Sequence, residues 1–203
     1  MAQFFKIHPD NPQMRLIKQS AEILNNQGVI VYPTDSCYAL GCLLDNKIAA
    51  ERISQLRGLH KKHLFTILCK DLSGLGALAK LGNSAFRLIK SHIPGPYTFI
   101  LRASKEVPRR LQNNKRSTIG LRVPDNEICQ ALLDAVNGPI LSTSLILPGD
   151  ELPLFDPQEI DDRIGKQIDL IIDGGMIGVD MTTVIDLTDN DPVIIRKGKG
   201  EID

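Results

Sequence analysis

Apolar residues along this chain alternate between two rhythms. Short β-branched runs bounded by Gly and Pro give way to stretches whose apolar positions recur three and four apart. The first rhythm predicts strands at 29–32, 64–69, 97–101, 118–123, 139–145 and 170–173. The second predicts helices at 48–56, 72–81, 85–93, 128–136 and 160–168, after an earlier one that opens at Asn11-Pro12 and stops at Gly28. Two further runs, 183–187 and 192–196, flank Thr188-Asp189-Asn190-Asp191 and read as an antiparallel hairpin. Strands interleaved with helices predict an α/β fold, an open, twisted, mostly mixed sheet with helices packed on it. No repeat, low-complexity tract or long linker interrupts the pattern, so residues 1–203 are expected to form a single domain. The irregular stretch 148–157 is the segment expected to be most mobile.

One junction in this pattern carries chemistry. The apolar run Gly28-Val29-Ile30-Val31 leads into Tyr32-Pro33-Thr34-Asp35-Ser36-Cys37-Tyr38, which reads as a polar turn of hydroxyls, one carboxylate and a phenol. Pro33 ends the run because it cannot donate to a ladder. Hydrogen-bonding side chains gathered at the end of a buried strand suit a ligand site on an open sheet. Thr34 and Asp35 capping their own backbone would account for the same residues.

The chain has 203 residues, 42% hydrophobic, which is enough for a sizeable core; with no Trp and 4% aromatics that core must be aliphatic. The formal net charge of +0 excludes a polycation, but the charge is segregated. Arg102, Lys105, Arg109, Arg110, Lys115, Arg116 and Arg122 stand against Glu106 alone, whereas 150–191 holds twelve acids against Arg163 and Lys166. One electropositive face is therefore expected. Cys37, Cys42, Cys69 and Cys129 lie in or beside apolar runs without paired spacing, which predicts buried thiols in a reducing compartment. The opening Met1-Ala2-Gln3-Phe4-Phe5-Lys6 is too short and polar for a signal peptide, and no apolar run approaches spanning length. A soluble, cytoplasmic protein with no membrane partner is expected.

Several chemistries find no motif. There is no P-loop, no G-x-G-x-x-G after the first strand and no H-E-x-x-H. His60 and His63 sit among lysines without carboxylate or Cys partners at ligand spacing, so a solvated basic turn is expected there and no metal site. Ser142-Thr143-Ser144 lacks the flanking glycines of a nucleophile elbow. What the chain does carry is polar clusters at strand ends. They are Thr34-Asp35-Ser36, Thr98 after Pro94-Gly95-Pro96, Arg122-Val123-Pro124, Ser142-Thr143-Ser144, and Arg196 with Lys197 and Lys199 beyond it. Hydroxyls with guanidinium groups recognise phosphate and carboxylate.

The order and wording of these blocks resemble the YrdC family, whose enzymes make threonylcarbamoyl-AMP. The resemblance runs through Pro33-Thr34-Asp35-Ser36, Tyr38-Ala39-Leu40-Gly41, Pro94-Gly95-Pro96-Tyr97-Thr98, Ile119-Gly120-Leu121-Arg122-Val123-Pro124, Pro139-Ile140-Leu141-Ser142-Thr143-Ser144, Thr182-Thr183-Val184-Ile185-Asp186 and Ile195-Arg196-Lys197-Gly198. The opening Gln3-Phe4-Phe5 and Ile7-His8-Pro9-Asp10 resemble the YciO branch. The resemblance implies an electropositive cavity on the sheet and association with double-stranded RNA or tRNA. It also implies a reaction that condenses threonine, bicarbonate and ATP. By resemblance, Thr34, Tyr38 and Arg122 fall on the threonine side, and Ser144, Thr183 and Arg196 on the nucleotide-phosphate side.

The chain departs from the synthases twice. Their Lys-x-Arg pair reads Arg57-Gly58-Leu59 here, and their Ser-x-Asn pair reads Ser144-Leu145-Ile146. A hydrogen bond to a charged group contributes roughly 1.5–3 kcal/mol, so two losses at a triphosphate matter. Two functions follow as expectations. One is an RNA- and nucleotide-binding protein with the family cavity and an altered active site, in which Arg109, Arg110, Lys115 and Arg116 contact duplex backbone phosphates. The other is an active synthase in which Thr34, Arg57, Arg122, Ser144 and Arg196 orient threonine and ATP, with Mg²⁺ on the phosphates and no tightly bound cofactor.

Overall fold

The computed structural model describes residues 1–59, 65–113, 115–189 and 191–202. His60, His63 and Leu64 lie outside the described residues, as does Asn190 of the hairpin turn. Among the described residues, ten strands form one mixed sheet in the order β1-β8-β2-β3-β7-β4-β6-β5-β9-β10. They are β1 (Gln3–Lys6), β2 (Ile30–Tyr32), β3 (Ala39–Leu43), β4 (Thr66–Leu68), β5 (Tyr97–Arg102), β6 (Thr118–Arg122), β7 (Ile140–Ser144), β8 (Leu170–Asp173), β9 (Thr183–Asp186) and β10 (Val193–Arg196). Six α-helices among the described residues pack on them: α1 (Met14–Asn25), α2 (Lys47–Leu56), α3 (Leu72–Leu78), α4 (Asn83–His92), α5 (Glu127–Val136) and α6 (Pro157–Ile164).

The two faces of the sheet follow from alternation. Successive side chains in a strand point to opposite faces. Val29, Val31, Ile67, Leu121, Leu141 and Ile171 enter one core with α2, α3, α4 and α6. Ile30, Tyr32, Leu68, Ile140, Leu170 and Ile172 enter the other, under α1 and α5. The inner strands are buried on both sides, so they read as continuous apolar runs.

Several elements differ from the sequence reading. The first helix starts at Met14 behind Gln13, so Asn11 is not its N-cap. It ends in a Schellman motif: Gln27 takes the left-handed conformation (φ 67°), and the Gly28 and Gln27 amides donate to the Ile23 and Leu24 carbonyls. Gly28 is needed for closeness, since a Cβ there would lie 2.6 Å from the Ile23 carbonyl oxygen. The turn after β2 is immediately followed by β3, antiparallel to β2, and β1 adds a parallel edge beside β8. Helix α6 sits earlier than expected, because Asp156 caps it through the Gln158 amide and Pro157 fills its first position. The 183–196 hairpin forms as expected, with a bulge between Ile194 and Arg196. The stretch 148–157 is tied down by the Leu154 amide on the Leu145 carbonyl and by Arg163 on Asp150.

Candidate functional site

The face that α1 and α5 cover over β8, β2 and β3, and as far as Ile140 of β7 and Leu68 of β4, continues beyond those residues across β6, β5 and β9, which add nothing to that core. There its residues become small or hydroxylic. In register, Thr66 lies between Ser142 and Gly120, and Gly120 lies opposite Ile100. Thr98 pairs with Val184, and Val184 with Arg196. Large side chains at these positions would fill the face; their absence leaves a cavity of about 240 Å³. Gly120 forms its floor, where a Cβ would lie 3.3 Å from Thr98 Cγ2 and 3.4 Å from Thr66 Oγ1. Ile146, Phe65, Leu68, Ile100, Val184 and Met181 give it an apolar wall.

Among the described residues, the charged side chains lining this cavity are three arginines. Arg122, at the end of β6, is paired with Asp35, and the two side chains are 8% and 10% exposed. Asp35 also accepts from the Asp125 amide (3.1 Å). Arg196, on β10, donates from Nε and Nη2 to the Thr182 carbonyl (3.1 and 2.8 Å) and from Nη2 to Thr182 Oγ1 (3.2 Å). Arg57 caps the C-terminus of α2, and its buried Nε has no hydrogen-bond partner; the same is true of Arg122 Nε. Burial holds Arg57 and Arg196 below the usual guanidinium range. Among the described residues neither has a carboxylate partner, and residues 60–64 contain no acid. The cavity is therefore a partly desolvated cationic hollow in which Arg57 and Arg196 have no carboxylate partner among the described residues.

Much of the hydroxyl inventory is already engaged. Thr34 Oγ1 donates to the Cys37 carbonyl (2.7 Å) and accepts from the Ser36 and Cys37 amides, closing its own turn. Thr98 and Thr182 bond each other (2.9 Å), and Tyr32 donates to Ser142 (2.6 Å). The Thr66 and Ser144 hydroxyls make no hydrogen bond among the described residues, which leaves them for a ligand.

Of the residues the sequence nominates, Thr34, Arg57, Arg122, Ser144 and Arg196 line the cavity together. Tyr38 and Thr183 do not. The Tyr38 hydroxyl donates to the Gly175 carbonyl (2.7 Å) and accepts from the Gly174 amide (3.1 Å), which anchors the loop after β8. Thr183 Oγ1 donates to the Gly200 carbonyl (2.6 Å) and accepts from the Gly198 amide (2.9 Å), which pins the segment after β10. Its neighbour Thr182 is the one that faces the cavity. Of the two departures from the synthase pattern, Ile146 lines the cavity, whereas Leu59 packs against the core. Leu59 closes the Schellman motif of α2, its amide donating to the Ser54 carbonyl (2.8 Å) beyond Gly58 (φ 61°), and that position favours an apolar contact.

The basic segment is partly neutralised by the acidic one. Arg116 pairs with Asp186 (3.1 Å) and Arg102 with Asp189 (3.4 Å), and Arg110 donates to the Leu44 carbonyl (2.8 Å). Lys105, Arg109 and Lys115 have no ion-pair partner among the described residues, and Lys105 and Arg109 share a surface hollow with Lys80. No cluster of metal-ligating side chains occurs among the described residues, and no helix there is long and apolar enough to cross a membrane.

Comparison with known proteins gives this geometry its context. The Sua5/YciO/YrdC profile, described as telomere recombination, matches residues 22–198. The chain is 59% identical to the uncharacterized protein YciO of Escherichia coli (strain K12) over 202 residues, which is 100% of this chain and 98% of that one. The crystal structure of E. coli YciO matches with a TM-score of 0.96 over 99% of this chain and 98% of that chain. A threonylcarbamoyl-AMP synthase of Pyrococcus abyssi (strain GE5 / Orsay) is 33% identical over 185 residues, 90% of this chain and 54% of the synthase. The crystal structure of P. abyssi Sua5 complexed with L-threonine is 28% identical, with a TM-score of 0.88 over 96% of this chain and 57% of that one. A match of this extent is decisive: the chain belongs to the Sua5/YciO/YrdC family.

Proposed function

We propose that the cavity binds a nucleotide through its phosphates at Arg57 and Arg196, and the carboxylate of a small amino acid of the threonine type beside Arg122 and Thr34. The observation that supports this reading is the pair of half-buried guanidinium groups with no carboxylate partner among the described residues, which an anionic ligand would neutralise. The free hydroxyls of Ser144 and Thr66 would complete the phosphate shell. The described lining residues offer Mg²⁺ no carboxylate, so the ion would enter on the phosphates. Ile146 gives the cavity an apolar wall where the synthases carry an amide, and on that ground the active site is altered for threonylcarbamoyl-AMP formation. The protein is then a cytoplasmic, single-domain relative of the enzymes of tRNA threonylcarbamoyladenosine biosynthesis.

ATP-dependent pyrophosphate release, measured with and without threonine and bicarbonate, tests this. The altered site is expected to bind ATP without release that needs both co-substrates. Release that requires both would make the chain an active L-threonylcarbamoyladenylate synthase instead, with Thr34, Arg57, Arg122, Ser144 and Arg196 orienting the substrates. Absence of both ATP and threonine binding at millimolar concentration would overturn either reading.

A second reading concerns RNA. Lys105, Arg109 and Lys115, with no ion-pair partner among the described residues, suit duplex RNA or tRNA held by its backbone. Arg110 and Arg116 would join only by leaving Leu44 and Asp186. Duplex RNA affinity should then fall steeply with salt, and charge reversal at Lys105 and Arg109 should flatten the slope by about one each. Affinity unchanged between low and high salt would refute it.

A further inference from the structure

Strand β10 ends the sheet. It pairs with β9 on one side, and no strand among the described residues pairs with its other side. Its apolar residues meet water on both faces: Val193, Ile194 and Ile195 are 53%, 41% and 58% exposed. Exposed edges are usually blunted by a charge, a proline or a bulge. Here Pro192 precedes the strand, the bulge falls near its end between Ile194 and Arg196, and no charge lies within 193–195. The charges flank it instead. Asp191 stands three residues before Ile194, and Lys197 three residues after it. Both are exposed, and neither has an ion-pair partner among the described residues.

This arrangement is self-complementary. Set antiparallel to a second copy about a two-fold axis at Ile194, the segment meets that copy with Val193 opposite Ile195 and Asp191 opposite Lys197, in both directions. Opposite charges directly across two strands attract, and like charges there repel. The other edge of the sheet offers no such match, because Gln3-Phe4-Phe5-Lys6 of β1 carries a cation and no acid. Head-to-tail pairing of β10 on β1 would also give an open array of molecules, whereas the two-fold contact closes on itself. We propose that β10 is the interface of a two-fold dimer, in which the edge strands of two copies pair antiparallel and one sheet runs through both. The contact is confined to a short strand and its flanks, so the dimer is weak and reversible. The second copy then supports the strand that presents Arg196 to the cavity.

The inference stands apart from the nucleotide reading and is tested without ligand. Sedimentation equilibrium of the full chain, carried to millimolar concentration, should show monomer and dimer in exchange. Asp191→Lys and Lys197→Glu should each weaken the dimer roughly tenfold or more, since each sets like charges opposite one another on both sides of the axis. The double variant Asp191→Lys/Lys197→Glu restores opposite charges with exchanged sign and should recover most of the lost affinity, which independent damage at the two positions would not allow. Amide hydrogen exchange should slow over 193–196 as the dimer forms, and not over 3–6. A monomer at millimolar concentration, which would leave the edge to a different protein, overturns the proposal. So does assembly that grows past the dimer, protection at 3–6 in place of 193–196, single variants as tightly dimeric as wild type, or a double variant no better than the single ones.

Discussion

Replacing Asp35 with Asn probes the buried ion pair at the cavity. Asp35 and Arg122 form an ion pair whose side chains are 10% and 8% exposed, and Asp35 also accepts the Asp125 amide. The substitution keeps the shape and removes the charge. Arg122 then remains buried without compensation beside Arg57 and Arg196, and its Nε already lacks a partner. Removing one partner of a buried pair costs about 3–5 kcal/mol, because the other charge stays desolvated. Asparagine can still accept one hydrogen bond, so the lower end, about 3 kcal/mol, is expected. Urea unfolding of wild type, Asp35→Asn, Arg122→Met and the double variant measures this. The double variant should be more stable than Asp35→Asn alone, since it carries no orphaned charge. A loss under about 1 kcal/mol for Asp35→Asn, as for exposed pairs, would refute the reasoning.

Three other outcomes follow. Gly120→Val should leave the protein folded, with a loss of roughly 1–3 kcal/mol, but abolish ATP binding in calorimetry, because the new side chain rises between Thr98 and Thr66 at the cavity floor; unchanged affinity would count against this site. Ile146→Asn should tighten ATP binding by roughly tenfold if the missing amide weakens the site, and no change in a titration would show that Ile146 is inert. Burial alone would raise the Asp186 carboxyl, but hydrogen bonds from Thr188 and Arg116 outweigh it and hold it below the usual aspartate range. Its stabilisation is present above the ordinary value near ~4 and is lost as pH falls through the folded value. The stability difference between wild type and Asp186→Asn should thus shrink on acidification below about pH 4, and a constant difference would contradict the assignment.

The parts of this fold that the sequence makes legible are those written in its periodicity. Thr118-Ile119-Gly120-Leu121-Arg122 states both faces of β6, apolar inward to one core and small or charged toward the cavity. The first and third strands are harder to read for opposite reasons. Strand β1 is four residues at an edge, three of them exposed, and β3 is apolar without alternation immediately after a turn. Side-chain direction is the main limit at the site. Thr182 and Thr183 are chemically identical, and one residue of strand parity decides which of them meets the cavity and which ties down Gly198 and Gly200. Tyr38 belongs to a conspicuous motif, yet its phenol serves the loop at Gly174 and Gly175. Thr66 looks like an ordinary strand residue until register sets it between Ser142 and Gly120. The charge runs were visible, but pairing of Arg116 with Asp186 across the sheet cannot be read from composition.

The central claim is that Arg57 and Arg196 make this cavity a phosphate site, and calorimetric titration of ATP into wild type and the Arg57→Gln/Arg196→Gln variant tests it most directly. The account predicts saturable binding at one site per chain in the wild type and a loss of about a hundredfold or more in the double variant, as expected from removing two charged hydrogen-bonding groups. Equal ATP affinity in the two proteins would contradict it.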